Sequence, residues 1–434
     1  MLELTKRSLI RRKHEVMKKF IKLSDKNFGK IHSSAYCGEG FYVNRAGEGI
    51  LFHNTQKVYG YDVHKAYVAS LLNDDFPLSD ELVDSPVSKL GYVVIEFTDA
   101  IKNPRYKDQS YSLFDIELLV RDTMKKEEDK KKPFIHRKED GKFTMVLSNL
   151  DYEVITDLYL FLNLKVVKRY YFKKVGQMSE EFKDMIKECV NNLNELKRVN
   201  SPELLDKKAE FESLWYGKEA EAQRNYWEKD KDKRGKKKFA TKRGDFTFIA
   251  SFQAAYLRHR EWELFKRFYK NILYMATDSI YLDINIDKEL KAENKLGDKL
   301  GQYGKEYDGV PILFIRRNAY IVFDKDVNIN NVDIKHQRIA GIGRRTEDGL
   351  KMAPLSSQQI ARLIDINDMD DIEEAGERII IDKKTGKEVK MKVRLRQEFK
   401  IATSESSDYF APSISRMKKT YGRKLINKEK EGDK

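Results

Sequence analysis

Asp62, in the segment YGYDVHKAY, and Asp278, in LYMATDSIYLD, are the side chains of this sequence best suited to chemistry. Carboxylate oxygens are hard ligands that suit Mg2+, which takes one or two protein carboxylates and completes its shell with water and phosphate oxygens. Two such ions held roughly 3.5–4 Å apart activate an attacking hydroxyl and steady the leaving oxygen of an in-line phosphoryl displacement. Two aspartates on adjacent strands of one sheet are enough for this. Taken singly each is an ordinary turn residue. Their weight comes from what surrounds them.

The elements around them follow from periodicity. Residues 57–63 read as a strand ending in Asp62, and 64–73 as the helix or turn after it. Residues 271–275 and 280–284 read as two short strands around the turn Ala276-Thr277-Asp278-Ser279. Further β-rich runs lie at 91–97, 111–119 and 166–172, and helical spacing at 150–162, 180–196 and 203–215. Across 246–268 a long helix places Ile249, Phe252, Tyr256, Leu264 and Phe268 near one face. Strands and helices mixed in this order predict an α+β fold rather than a doubly wound sheet.

Composition limits the partners. The chain carries a net charge of +14, with 40% apolar and 11% aromatic residues, so it folds and favours polyanions. The two cysteines, Cys37 and Cys189, form no CxxC pair, which argues against a zinc site or a disulfide framework. The basic N-terminus lacks a signal peptide's apolar core, and no apolar run approaches the ~20 residues that span a bilayer. The expectation is a soluble cytoplasmic protein with no membrane partner. Charge-rich stretches at 125–140, at 229–238 (KDKDKRGKKK) and at 416–434 read as surface insertions or tails; the last two are basic enough to meet phosphates.

In order and spacing, these segments resemble the motifs of family B DNA polymerases, above all the protein-primed branch of small tailed phages. Motif A, Asp-x-x-Ser-Leu-Tyr-Pro in the family, matches Asp62-Val63-His64-Lys65-Ala66-Tyr67-Val68. Motif C, Tyr-x-Asp-Thr-Asp-Ser, matches Tyr274-Met275-Ala276-Thr277-Asp278-Ser279. Motif B, Lys-x-x-x-Asn-Ser-x-Tyr-Gly, is matched loosely by Lys208, Glu212, Ser213 and Tyr216-Gly217. Tyr36-Cys37-Gly38-Glu39-Gly40 resembles the Tyr-x-Gly-Gly segment, Leu147-Ser148-Asn149-Leu150-Asp151 the end of the branch's first insertion, and Arg317-Asn318-Ala319-Tyr320 its Lys-x-Tyr strand. The chain departs from the pattern at Ala276 (Asp in motif C), Lys65 (Ser), Val68 (Pro), Glu212 (Asn) and Asn318 (Lys).

The resemblance implies a right hand of palm, fingers and thumb with an antiparallel palm sheet. It divides the chain into a lead-in (1–60), palm (61–84), first insertion (85–175), fingers (176–220), basic second insertion (221–244), palm (245–323) and thumb with a basic tail (324–434). It implies template-directed addition of dNMPs to a 3′ hydroxyl, or to a priming protein's hydroxyl. Asp62 and Asp278, with the Val63 carbonyl, would hold two Mg2+ ions, for which Mn2+ can substitute. Tyr67, Lys197, Arg198, Lys208 and Tyr216 would contact the dNTP; Tyr36, Gly38, Thr277, Ser279, Arg317 and Tyr320 would contact the primer–template. The implied partners are primer–template DNA, dNTPs and a terminal (priming) protein. Only 61 residues precede Asp62, which implies an exonuclease on a separate subunit or its loss. A reverse transcriptase fits less well, since its hairpin reads Tyr-x-Asp-Asp. The alternative is an inactive polymerase relic that binds DNA or the terminal protein.

Overall fold

The structure, a computed structural model, describes residues 6–24, 31–32, 42–45, 57–107, 109–112, 135–137, 141–215, 224–229, 237–242, 246–316, 319–322, 344–345, 352–353, 372–381 and 388–397. In chain order the elements used below are α1 (Lys6–Phe20), β1 (Tyr42–Arg45), β2 (Val58–Val63), α2 (Ala66–Asn73), β3 (Gly91–Phe97), β4 (Gln109–Ser112) and β5 (Phe143–Ser148). They continue with α3 (Asn149–Leu158), β6 (Lys165–Phe172), α4 (Glu180–Arg198), α5 (Leu204–Trp215), α6 (Thr247–Phe268), β7 (Ile272–Ala276), β8 (Ser279–Leu282) and β9 (Tyr303–Val310).

Two antiparallel sheets carry the fold. The first has the order β9-β2-β8-β7-β1-β4, and the second runs from Leu82–Val83 through β6, β3 and β5 to Ile135–Arg137. Between them lies α6. Apolar residues of the first sheet (Tyr61, Val63, Met275, Ile280) and of the second (Val93, Ile95, Phe97, Met145) join one core with Leu257, Leu264 and Phe265 of α6. The sequence pattern predicts one apolar face for this helix. Instead it is buried around most of its circumference, Ile249, Gln253, Leu257, Arg258 and Phe265 included, because a sheet lies on either side of it. Strands β3 and β5 and helix α3 are thereby built into the core.

Other boundaries also move. The helix expected over 150–162 ends at Leu158, and Tyr159–Leu162 pairs with Asp99–Lys102 as a two-stranded ribbon. Its inner face buries Tyr159 and Ala100; its outer face leaves Ile101, Leu160 and Leu162 exposed, with Leu160 opposite Ile101. The strand expected at 111–119 starts earlier, at Gln109, and is described only to Ser112. At the two ends of the basic stretch at 229–238, Arg224–Lys229 and Lys237–Lys242 are paired strands. Helix α1, marked in the sequence only by its charge, packs on α4 and α5. Lys13 donates to the Leu214 carbonyl at 2.5 Å, and Lys19 pairs with Glu181 at 2.9 Å. A buried ammonium on the last carbonyls of α5 opposes the negative end of that helix. Among the described residues, no helix is long and apolar enough to cross a membrane.

Candidate active site

Asp62 sits near the end of β2, and Asp278 occupies the two-residue loop between β7 and β8. The register of β2 and β8 sets Ser279 opposite Asp62, and the Val63 amide donates to the Asp278 carbonyl at 2.9 Å. The two aspartates are therefore neighbours across one sheet, although 215 residues lie between them in the chain (positions 63 to 277). The hairpin is tighter than the four-residue turn the sequence pattern predicts, since Ala276 and Ser279 are already a cross-strand pair. Thr277 makes this possible by adopting φ 60°, and the Asp278 amide folds back on the Ala276 carbonyl at 2.7 Å. A β-branched residue in that region is strained, and such strain persists only where surrounding structure enforces it.

Burial first, then the charge of Asp278 and of Glu306, pushes the Asp62 carboxyl up to about 8, with Lys208 opposing. Burial also raises Asp278, to about 6, aided by Glu212 and Glu306 and opposed by its own backbone amide and by Lys208. The pair gives up its protons in two steps, and the charge left by the first helps to retain the second. A cation between them would relieve both desolvation and repulsion. Among the described residues no three His, Cys, Asp or Glu side chains form a metal cluster. Two carboxylates with a nearby main-chain carbonyl are nevertheless a donor set that suits Mg2+ when phosphate oxygens supply the rest.

The other expected residues divide into three groups. Lys208, on α5, acts on both aspartates and lies 3.9 Å from Glu212 one turn on. Lys197, at the end of α4, acts on Lys65, which itself follows Asp62 by three residues. Tyr67 lies half-buried on α2 against the core. Two residues are engaged elsewhere: Arg198 pairs with Glu195 on an exposed face at 2.6 Å, and the Ser279 hydroxyl donates to the Ala276 carbonyl at 3.1 Å. Tyr36, Gly38, Tyr216 and Arg317 lie outside the described residues, as does the Tyr320 side chain; the Tyr320 backbone pairs with Phe314.

Several contributors are not recognisable from motifs. Gln253, in the middle of α6, is fully buried and donates to the Tyr67 carbonyl and to the Trp215 carbonyl, both at 2.8 Å. One amide thus ties the helix after motif A to the end of α5. The signal was a polar residue inside the apolar run FIASFQAAYL. Gln253→Leu keeps the volume and leaves two buried carbonyls without these donors, at about 1–3 kcal/mol each. We expect the urea midpoint to fall accordingly, and an unchanged midpoint would show that the strut carries no load.

The loop after motif A is fastened at its other side. The His64 amide donates to the Gln302 carbonyl and the Gly301 amide to the His64 carbonyl, both at 2.9 Å. Gly304 faces Asp62 across β9, and a Cβ there would stand 2.6 Å from the His64 ring, so the ring's position depends on that glycine.

No protein-family model matches the sequence, and no curated protein does either. Solved structures do. Phi29 DNA polymerase complexed with primer–template DNA and incoming nucleotide matches with a TM-score of 0.58 at 16% identity, over 91% of this chain and 67% of that one. Its binary complex with primer–template DNA matches at 0.55 and 15% identity, with the same coverage. Its complex with single-stranded DNA matches at 0.54 and 17% identity, over 79% of this chain and 61% of that one. The chain thus spans about two thirds or less of the polymerase chains it matches. At these identities the likeness concerns architecture: this chain has the mixed α+β, antiparallel fold of the Phi29 DNA polymerase structures.

Proposed function

We propose that the protein is a DNA-directed DNA polymerase that adds dNMPs to a 3′ hydroxyl. The observation that carries this reading is the juxtaposition of Asp62 on β2 with Asp278 in the loop before β8, where Ser279 pairs with Asp62, under the charge of Lys208 of α5 and in a polymerase-like fold. Asp62, Asp278 and the Val63 carbonyl would hold Mg2+, which when bound supplies hydroxyl activation and stabilises the leaving pyrophosphate. The remaining work belongs to side chains. Lys208 and Lys197 neutralise triphosphate charge, and Tyr67 closes the floor beneath the sugar, excluding a 2′ hydroxyl. The basic paired strands Arg224–Lys229 and Lys237–Lys242 and the net charge of +14 suit DNA backbone contact, which weakens steeply with salt. The exposed Ile101, Leu160 and Leu162 of the ribbon offer an apolar surface for a protein partner, and a terminal (priming) protein fits it.

The second reading, a relic that binds DNA without extending it, is favoured by one observation: Ala276 stands where motif C has its first aspartate. Primer extension separates the two. The expected result is extension of a DNA primer on a DNA template with Mg2+ or Mn2+, and none for Asp278→Ala. DNA binding without extension in either metal would establish the relic.

A further inference from the structure

Lys65 breaks every local rule at its position. It is the N-cap residue of α2, where Ser, Thr, Asp, Asn or Gly serve best because their side chains or their freedom suit the free amides. A lysine offers no acceptor, and no side-chain cap bond is made. Its backbone lies in the left-handed region, φ 51° and ψ 53°, which costs an ordinary side chain energy. Its positive charge stands at the positive end of a helix. Its carbonyl nevertheless receives the amides of Val68 and Ala69 at 2.9 Å, so the conformation is fixed.

The side chain then reaches across to α5. The Lys65 ammonium lies 4.7 Å from the centre of the Phe211 ring, between Lys208 and Glu212 along the helix. Lys65 and Lys208 thus share one stretch of α5 with Glu212, and Lys208 also acts on both aspartates. Local costs accepted together at one residue mark a functional position. A polyanion is the ligand that reverses them, because it neutralises the cluster.

We propose that Lys65 is a further triphosphate-binding residue, gripping the phosphates of the incoming nucleotide from the palm side while Lys208 and Lys197 grip them from the fingers. This rests on the polymerase reading above. In that setting the positive charge gained at position 65 accompanies a carboxylate missing at Ala276, and both changes favour phosphate binding at the site.

The test measures binding apart from catalysis. Equilibrium binding of dATP and of inorganic tripolyphosphate, each with Ca2+, is compared between the intact chain and its Lys65→Met and Lys65→Arg variants. Lys65→Met keeps an apolar stem over Phe211 and removes only the charge. Loss of one charge-assisted contact weakens binding of both ligands about tenfold, with Lys65→Arg close to the original and deoxyadenosine binding unchanged. Binding that Lys65→Met leaves unaltered overturns the assignment. Equal weakening of deoxyadenosine and dATP also overturns it, since it marks a merely structural role. An original protein that binds no dATP but retains primer–template DNA instead overturns the polymerase reading itself.

Discussion

On the polymerase reading proposed above, Asp278→Asn is expected to stop nucleotide addition and, in the metal-free protein above neutral pH, to raise the melting temperature. The rate loss follows from removing a ligand of the ions that stabilise the transition state, and is on the order of 10^3-fold or more. The gain in stability follows from linkage. Both carboxyls hold their protons more tightly in the folded chain, at about 8 for Asp62 and about 6 for Asp278, than an unfolded aspartate near 3.9. A raised value means stability that is complete below about pH 4 and is lost as pH climbs, first through about 6 and then through about 8. Without metal the original protein therefore melts at progressively lower temperature from pH 5 to pH 9. Asp278→Asn has no charge to bury at that position and relieves Asp62 of its neighbour, so it melts about 2–4 °C higher at pH 9. On the same reading Mg2+ binds the ionised pair, so it is expected to restore the original protein at high pH and to do less for the variant. Thermal melts across this range, with EDTA and with Mg2+, check every part of this. A variant whose melting temperature tracks the original at all pH values would mean that the two carboxylates do not share a site.

Much of this site was legible in the sequence because its parts are local. The strand at 91–97 and the strand ending in the YGYD segment follow from alternation and apolar runs, and the order of motifs A, B and C fixed which aspartates to compare. Elements whose limits depend on partners were less legible. YLFL at 159–162 continues an apolar helix as readily as it forms a strand, and only Asp99–Lys102 alongside decides the matter. The hairpin at Thr277 is shorter than expected because a residue poorly suited to positive φ adopts it, which propensity argues against. Lys65 was visible only as a mismatch to its motif. Its significance needs α5, whose Phe211 and Lys208 are distant in sequence. Gln253 is a polar residue in an apolar run, and only the Tyr67 and Trp215 carbonyls, distant in sequence, supply its two acceptors.

The largest stability effect belongs to a pair that no spacing rule connects. Arg258 of α6 and Asp151 of α3 are both fully buried and meet side-on, Nε to Oδ1 at 2.7 Å and Nη2 to Oδ2 at 2.9 Å. Asp151 is also satisfied locally. It accepts from the Ser148 hydroxyl at 2.9 Å and donates its amide back to that oxygen at 3.0 Å, closing the start of α3. A turn and a half further on, Asp157 accepts from Trp262 of α6 and from Tyr106, both at 2.7 Å, so α3 and α6 are joined at two levels. Removing one member of the ion pair strands the other charge in the core. Asp151→Leu and Arg258→Met each cost about 3–5 kcal/mol, whereas the double variant replaces both charges with apolar volume and recovers much of the loss. Urea midpoints for the four proteins give the coupling directly. Single losses below about 1 kcal/mol, or a double variant as damaged as the sum of the singles, would show that the pair is not shielded from water. The consequence reaches the site, because Gln253 lies on α6 five residues before Arg258 (253 to 258) and is held by the same helix. A chain that loses the Asp151–Arg258 bond is therefore expected to lose grip at Tyr67 and Trp215 as well, and nucleotide addition should fail at a lower urea concentration than global unfolding.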